Sequence, residues 1–200
     1  MSRAASHKAD YTFLIYFLIL LVFGLLMLTS ASAPVGHERF GDKYFFIKRQ
    51  LLFGALPGMV VFFIAARIRL SMVARLAAPA YAASLILLML VFVPGIGSML
   101  GTGSHSWLLF GDYSLQPAEF AKLGLIVWLA YSLSRRSHDL QHFTRGFLPT
   151  LLLAAIPLAL VVLQPDVGTA SILFAIVFGM LFVAGARWLH MVALSGLGLA

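Results

Sequence analysis

Residues 11–33 read YTFLIYFLILLVFGLLMLTSASA, a stretch in which no side chain is charged. A helix that crosses the hydrocarbon core of a bilayer, about 30 Å thick, needs roughly 20 apolar residues. The stretch is also longer than the apolar segment of a cleaved signal peptide, which spans about 7–15 residues. It therefore predicts a retained transmembrane helix.

Comparable apolar runs continue along the chain. Its 200 residues are 62% hydrophobic and 10% charged, with a mean hydropathy of +0.99, whereas soluble domains carry about 25% charged residues. Five more complete runs and the start of a seventh follow, at 50–66, 76–93, 117–133, 147–163, 168–186 and 189–200. We therefore predict an all-α, polytopic membrane helical bundle with six complete transmembrane helices and the start of a seventh. The sequence contains no cysteine, which excludes thiolate metal sites and cysteine nucleophiles.

Basic residues between these runs predict the orientation, because cytoplasmic loops carry an excess of Lys and Arg. One side collects nine of them: Arg3, Lys8, Arg67, Arg69, Arg75, Arg135, Arg136, Arg145 and Arg187. The other side has four, all in the first loop: Arg39, Lys43, Lys48 and Arg49. Residues 1–10 are therefore predicted to be a cytoplasmic tail, and 11–200 a transmembrane domain. The net charge of +7 then reflects topology, and nucleic acid is not implied.

The first loop departs from this rule, since it places four cations outside. Lys48 and Arg49 lie at the head of the second helix, where they could meet anionic head groups. The third loop, 94–116, is also predicted to face outside. Its five glycines disfavour a long helix, while the WLLF sequence at 107–110 is too apolar for a free linker, so we expect a re-entrant or interfacial loop. Trp107 could bind a ligand there or belong to an aromatic belt at the membrane surface.

The fourth run is the one that contains charged residues. Gln116 stands at the cap position before Pro117, and Glu119 falls in the first turn, near the positive end of the helix dipole. Lys122 follows three residues later, on the same helix face and about one turn deeper. Ionisable pairs inside a membrane are costly and usually functional. We therefore favour a functional role for Glu119 and Lys122 over a purely structural ion pair.

A single carboxylate interrupts the next two apolar runs, in the turn at 164–167. Asp166 could simply cap the sixth helix, and its spacing alone favours that role. On the predicted topology, however, Asp166 emerges on the same face of the membrane as Glu119. The two carboxylates could therefore border one cavity.

Two motifs now suggest a family. The first is GSHSWLLFG at 103–111 followed by QPAEFAKL at 116–123, and the second is LQPDVGTA at 163–170 followed by FVAGA at 182–186. Together, in this order, they resemble signatures of the SEDS family, the FtsW and RodA proteins of bacterial cell-wall synthesis. One departure is Ser106, because the family usually has Arg before the loop Trp. This weakens the expectation that the loop binds pyrophosphate in the usual way.

The resemblance implies a multi-pass peptidoglycan glycosyltransferase in the bacterial cytoplasmic membrane. It would polymerise lipid II on the outer face during cell division or elongation, together with a class B penicillin-binding protein and other membrane proteins of those machineries. Because the family has about ten transmembrane helices, the chain is expected to be an N-terminal portion, with the principal catalytic base beyond Ala200.

The resemblance also assigns residues. Supporting catalytic roles fall to Glu119, Lys122 and Asp166, and substrate-binding roles to Trp107, Gln116, Lys48, Arg49 and Thr169. No metal ligand is assigned, although Glu119 could steer a divalent cation. Two other functions stay open at this stage: a lipid II flippase or transporter, and a non-catalytic membrane scaffold of the division machinery.

Overall fold

The computed structural model describes residues 10–98, 103–110, 113–136 and 139–198, and most of them are helical. The chain forms two compact units, residues 1–68 and 69–200. Of the predicted cytoplasmic tail, residues 1–9 lie outside the described residues. The last two positions of the seventh predicted helix, 199 and 200, also lie outside them.

The first unit begins with a helix that is longer than predicted. Helix α1, Tyr11–Phe40, continues past Pro34 instead of ending at Ala33. A proline removes one backbone donor, and a transmembrane helix tolerates this when other groups satisfy the freed carbonyl. The helix ends at Gly41, whose φ of 67° places it in the left-handed conformation that glycine adopts freely.

The second apolar run forms one continuous helical segment. It consists of α2 (Phe45–Gln50), a π-helical turn (Leu51–Ala55) and α3 (Leu56–Arg67). The π turn lies just before Pro57, which has no N–H to donate to the preceding turn. The helix begins at Phe45 rather than Gln50, because charged side chains near its start do not interrupt helical backbone.

The second unit contains the remaining helices and its own apolar core. The helices are α4 (Leu70–Leu90), α5 (Pro117–Arg136), α6 (Leu148–Val162), α7 (Val167–Val183) and α8 (Trp188–Gly198). A 3-10 turn (Asp139–Gln141) and a π turn (Phe143–Phe147) lead into α6. The core is built from large apolar side chains of α4 to α7 and the π turn, including Leu88, Leu125, Leu129, Phe147, Leu173 and Leu181.

A small three-stranded antiparallel sheet occupies the third loop, and the sequence did not predict it. Its strands are β1 (Gly97–Ser98), β2 (Trp107–Phe110) and β3 (Tyr113–Leu115), in that spatial order. Leu108 of β2 is opposite both Gly97 and Leu115 and is fully buried. The all-α class is therefore correct for most of the chain and wrong for this segment. Positions 99–102 and 111–112 of the loop lie outside the described residues.

Among the described residues, four helical segments are long and apolar enough to cross a membrane. They are Tyr11–Phe40, Phe45–Arg67, Leu70–Leu90 and Phe143–Val162. Val167–Val183 is apolar but shorter, and α5 carries charged residues. In the first unit the apolar side chains of α1 and α3 are mostly exposed, as expected where lipid is the solvent. The chain is a multi-pass membrane protein.

Helices α4 and α5 approach closely at Gly124, because this residue has no side chain. A Cβ added there would lie 2.8 Å from Ser84 Oγ and 3.3 Å from the carbonyl oxygen of Ala80. We expect Gly124→Ala to destabilise the protein by about 1–3 kcal/mol, the usual cost of overpacking a filled interface. Unfolding in detergent, followed by circular dichroism, measures the change.

Gly179 provides the matched control, since it lies inside α7 and an added Cβ would meet nothing within 4 Å. Gly179→Ala should leave stability unchanged or raise it, because alanine is the better helix former. Equal loss of stability in the two variants would contradict the close packing at Gly124.

Candidate active site at the starts of α5 and α7

The N-terminal end of α5 presents the first group of predicted residues. Gln116 precedes the helix, and its carbonyl oxygen accepts a hydrogen bond of 3.1 Å from the backbone N–H of Glu119. Pro117 needs no donor at this position and is fully buried. Glu119 therefore lies in the first turn of α5, where the exposed N–H groups favour a negative charge.

Glu119 and Lys122 form the predicted ion pair. Lys122 Nζ donates to Glu119 Oε1 at 2.8 Å, and the exposed fractions of the two side chains are 18% for Lys122 and 59% for Glu119. Most of the Lys122 side chain is thus covered by protein, while the Glu119 side chain remains open to its surroundings. A cation on a largely covered side chain needs such a partner, because an unpaired charge in an apolar setting is expensive.

Asp166 has two functions in the structure. Its side chain caps α7: Oδ1 accepts from the backbone N–H of Thr169 at 3.0 Å, and Oδ2 accepts from Thr169 Oγ1 at 2.8 Å. Oδ2 also accepts a hydrogen bond of 3.2 Å from Gln116 Nε2. The cap is confirmed, and in addition the carboxylate joins the start of α7 to the start of α5. Residues 50 positions apart, one from each motif, therefore meet at one place.

Gln164 also holds this region together, and no role was predicted for it. Its side chain is 1% exposed, and Nε2 donates to the carbonyl oxygen of Leu88, in the last turn of α4, at 3.2 Å. The partner lies 76 positions away in the sequence. The available signal was a lone amide side chain between two long apolar runs, where it must find a hydrogen-bond partner when buried.

The loop residues lie in the sheet. Trp107 is partly buried in β2, opposite Ser98. Ser106, which stands where the family usually has Arg, is fully buried, and its Oγ donates to Ser104 Oγ at 3.0 Å. Between the described residues, no hydrogen bond or ion pair joins Trp107 to Gln116 or Asp166. The structure thus does not link Trp107 directly to the polar cluster at the helix starts.

Lys48 and Arg49 belong to the other compact unit, where both are exposed on α2. Lys48 Nζ contacts Asp42 Oδ2 at 2.7 Å. The hydrogen bond from Lys48, followed by one from the backbone N–H of Tyr44, holds the pKa of Asp42 below its usual value of 3.8. One of the four cations of the first loop is therefore neutralised locally.

The described parts of the chain contain no group of three or more His, Asp or Glu side chains that could hold a metal ion. The arrangement at the starts of α5 and α7 therefore consists of one ion pair and one carboxylate-centred hydrogen-bond cluster. Such an arrangement can place a cation near an anionic ligand and can fix the ends of two helices relative to each other.

Comparison with known proteins identifies the family. The sequence model of the FtsW/RodA/SpoVE family, described as cell cycle proteins, matches residues 11–200. The chain belongs to this family.

Individual members of the FtsW/RodA/SpoVE family show the same relationship. Stage V sporulation protein E of Bacillus subtilis (strain 168) is 38% identical, over 96% of this chain and 52% of that protein. The probable peptidoglycan glycosyltransferase FtsW of Trichlorobacter lovleyi is 39% identical, over 89% of this chain and 46% of that protein. The chain thus spans about half the length of the FtsW and SpoVE proteins it matches.

Two solved structures are similar as well. The rod shape determining protein RodA of Thermus thermophilus has a TM-score of 0.59 and 32% identity, covering 88% of this chain and 58% of that one. A chain from a peptidoglycan synthase complex, in which polymerization and crosslinking are structurally coordinated, has a TM-score of 0.65 and 32% identity. That match covers 88% of this chain and 52% of the other. The helical arrangement is therefore that of the FtsW/RodA/SpoVE family.

Proposed function

We propose that the whole protein is a peptidoglycan glycosyltransferase that polymerises lipid II on the outer face of the bacterial cytoplasmic membrane, during cell division or elongation. The observation that carries the proposal is the hydrogen bond between Gln116 and Asp166, which brings the two family motifs to one place. The similarity to FtsW proteins named as probable peptidoglycan glycosyltransferases supports the reaction type.

The proposed topology has six complete transmembrane helices and the start of a seventh, with a cytoplasmic N-terminus. The four long apolar segments support it, as does the distribution of basic residues. On this topology the starts of α5 and α7 and the sheet face outside. Lipid II exposes its sugars and pyrophosphate on that face while its polyprenyl tail stays in the bilayer.

Glycosyl transfer sets the chemical requirements of the site. The acceptor hydroxyl oxygen forms a bond to the anomeric carbon of the donor, the bond from that carbon to the pyrophosphate oxygen breaks, and a general base takes the hydroxyl proton. The departing pyrophosphate accumulates negative charge, which a nearby cation stabilises. A site therefore needs a base, a cation and an orienting framework.

We assign the cationic role to Lys122 and a supporting role to Glu119. Glu119 holds the Lys122 ammonium in place by accepting its hydrogen bond at 2.8 Å. An arriving pyrophosphate can then share a Lys122 ammonium that is already in place, so no further cation has to be desolvated. Arg49 is proposed to add positive charge toward lipid phosphates from the first loop, and Lys48 to do so by exchanging its partner Asp42 for a phosphate.

The orienting framework is assigned to Asp166, Gln116 and Thr169, whose side chains are already joined. Trp107 is proposed to bind substrate at the start of β2, the central strand of the sheet, where an aromatic side chain offers a flat apolar surface. These roles support the reaction and leave the principal base to another part of the whole protein.

A class B penicillin-binding protein is the proposed partner, because polymerised strands must be cross-linked. The similarity to a chain from a complex that coordinates polymerization and crosslinking supports this pairing. Other membrane proteins of division or elongation would complete the assembly.

Reconstitution tests the proposed function. The full-length protein and its penicillin-binding partner are placed in liposomes with fluorescent lipid II, with penicillin present to block cross-linking. We expect uncross-linked glycan strands on a gel. Lipid II translocation is measured in parallel. Translocation without strands would show a flippase, and the absence of both in a folded complex would leave a scaffold.

A further inference from the structure

Two side chains of the turn between α6 and α7 form hydrogen bonds to residues at the ends of other helices. Gln164 binds the carbonyl oxygen of Leu88 at the end of α4, and Asp166 binds Gln116 at the start of α5. Three consecutive residues, 164–166, therefore connect the ends of four helices.

Of the two side chains that hold the turn, Gln164 and Asp166, Gln164 is the more constrained. Its side chain is 1% exposed, so its amide must be hydrogen-bonded inside the protein or remain unsatisfied at a cost. The bond to Leu88 meets this need, and it also satisfies a carbonyl in the last turn of α4, where helical partners run out. The Gln164 amide and the Leu88 carbonyl are therefore both satisfied when the turn lies in this one position.

We propose that Gln164 is a positioning residue for the site at the starts of α5 and α7. By fixing the turn to α4, it determines where the Asp166 carboxylate stands relative to Gln116, and thereby how α7 meets α5 beside the Glu119–Lys122 pair. Gln164 acts through Asp166 and has no contact with substrate. The expected effect of Gln164 on the rate of polymerisation rests on the proposed function, whereas its effect on the position of the turn does not.

Gln164→Met tests the proposal, because methionine has nearly the same length and lacks the amide donor. In the full-length protein with its partner, we expect kcat for polymerisation to fall about tenfold or more, with KM for lipid II changed less than about twofold. A shift of the turn misplaces groups that act in the reaction, while substrate binding depends on other contacts. Gln141→Met, at an exposed position of the 3-10 turn, is the matched control.

A distance measurement separates this inference from the proposed function. Spin labels are attached to cysteines at Met89, in the last turn of α4, and Val167, in the first turn of α7, in a background otherwise free of cysteine. Both side chains are exposed. Double electron–electron resonance should show a shifted or broadened distance in Gln164→Met, and an unchanged one in Gln141→Met.

The outcomes are distinct. An unchanged distance together with an unchanged kcat in Gln164→Met would overturn the positioning role, even if thermal stability falls. If the wild-type protein makes no polymer, the proposed function fails, and the distance experiment still decides whether Gln164 sets the turn. Should Gln164→Met not fold, Gln164→Asn, which stays polar but falls short of Leu88, is read by the same two measurements.

Discussion

Glu119→Ala in the full-length protein is expected to abolish polymerisation of lipid II. The substitution removes the acceptor of the 2.8 Å bond from Lys122, whose side chain is only 18% exposed. Without this acceptor the Lys122 ammonium is no longer held at one position, so the site loses its placed cation. Glycan strands made from fluorescent lipid II, compared at equal protein levels, measure the effect.

A second substitution distinguishes a catalytic pair from a structural one. Glu119→Ala combined with Lys122→Met removes both charges, so it should keep the folded protein level and still make no polymer. Removing both partners leaves no ammonium without its acceptor. Recovery of polymerisation in the double variant would reduce the pair to a structural role. Glu38→Ala, at the exposed glutamate of α1, should leave both properties unchanged.

The sequence predicted the helices better than it predicted their ends. The charge-free runs located each apolar stretch, since a long run without charge has few alternatives to a membrane helix. However, α1 continues to Phe40, past the end of its apolar run at Ala33, and α4 begins at Leu70, before the start of its run at Leu76. A charged residue marks contact with water rather than the end of helical backbone, so a rule based on charge truncates helices that emerge from the membrane.

The sheet in the third loop was only partly predictable from the local pattern. Phe110 pairs with Tyr113, and the Gly111-Asp112 sequence between them is typical of two-residue hairpin turns, so β2 and β3 had a local signal. Leu108 also pairs with Gly97 of β1, and no local pattern indicates that contact.

The candidate site likewise contains some contacts that the sequence predicts and others that it does not. The Glu119–Lys122 pair was predictable because residues three apart share a helix face. The bond from Gln116 to Asp166 spans 50 positions, and topology could indicate only a common side of the membrane. The bond from Gln164 to Leu88 had no sequence signal beyond an isolated amide in an apolar region. Spacing along one helix thus predicts contacts between residues near each other in the sequence. Contacts between residues far apart in the sequence depend on how the helices pack.

Asp166→Asn should separate the two functions of this side chain. Asparagine caps helices about as well as aspartate, so its side-chain oxygen can still accept from the backbone N–H of Thr169. Its amide nitrogen, however, cannot accept from Gln116 Nε2 or Thr169 Oγ1, so both partners of Oδ2 must turn their oxygens to accept instead, and the negative charge is lost. We therefore expect nearly unchanged stability and a loss of polymerisation of roughly a hundredfold, because a misplaced site loses rate steeply. Asp166→Ala should lose the rate and about 1 kcal/mol of stability as well.

Asp10 is the matched control, because it caps α1 in the same manner: its Oδ1 accepts from the backbone N–H of Phe13 at 3.0 Å. Asp10→Ala should lose a similar amount of stability through the same mechanism and keep its rate of polymerisation. Unfolding in detergent and strand synthesis are measured on all three variants. If Asp166→Asn polymerises at the wild-type rate, neither the negative charge of Asp166 nor its acceptance of the hydrogen bond from Gln116 is needed for the reaction.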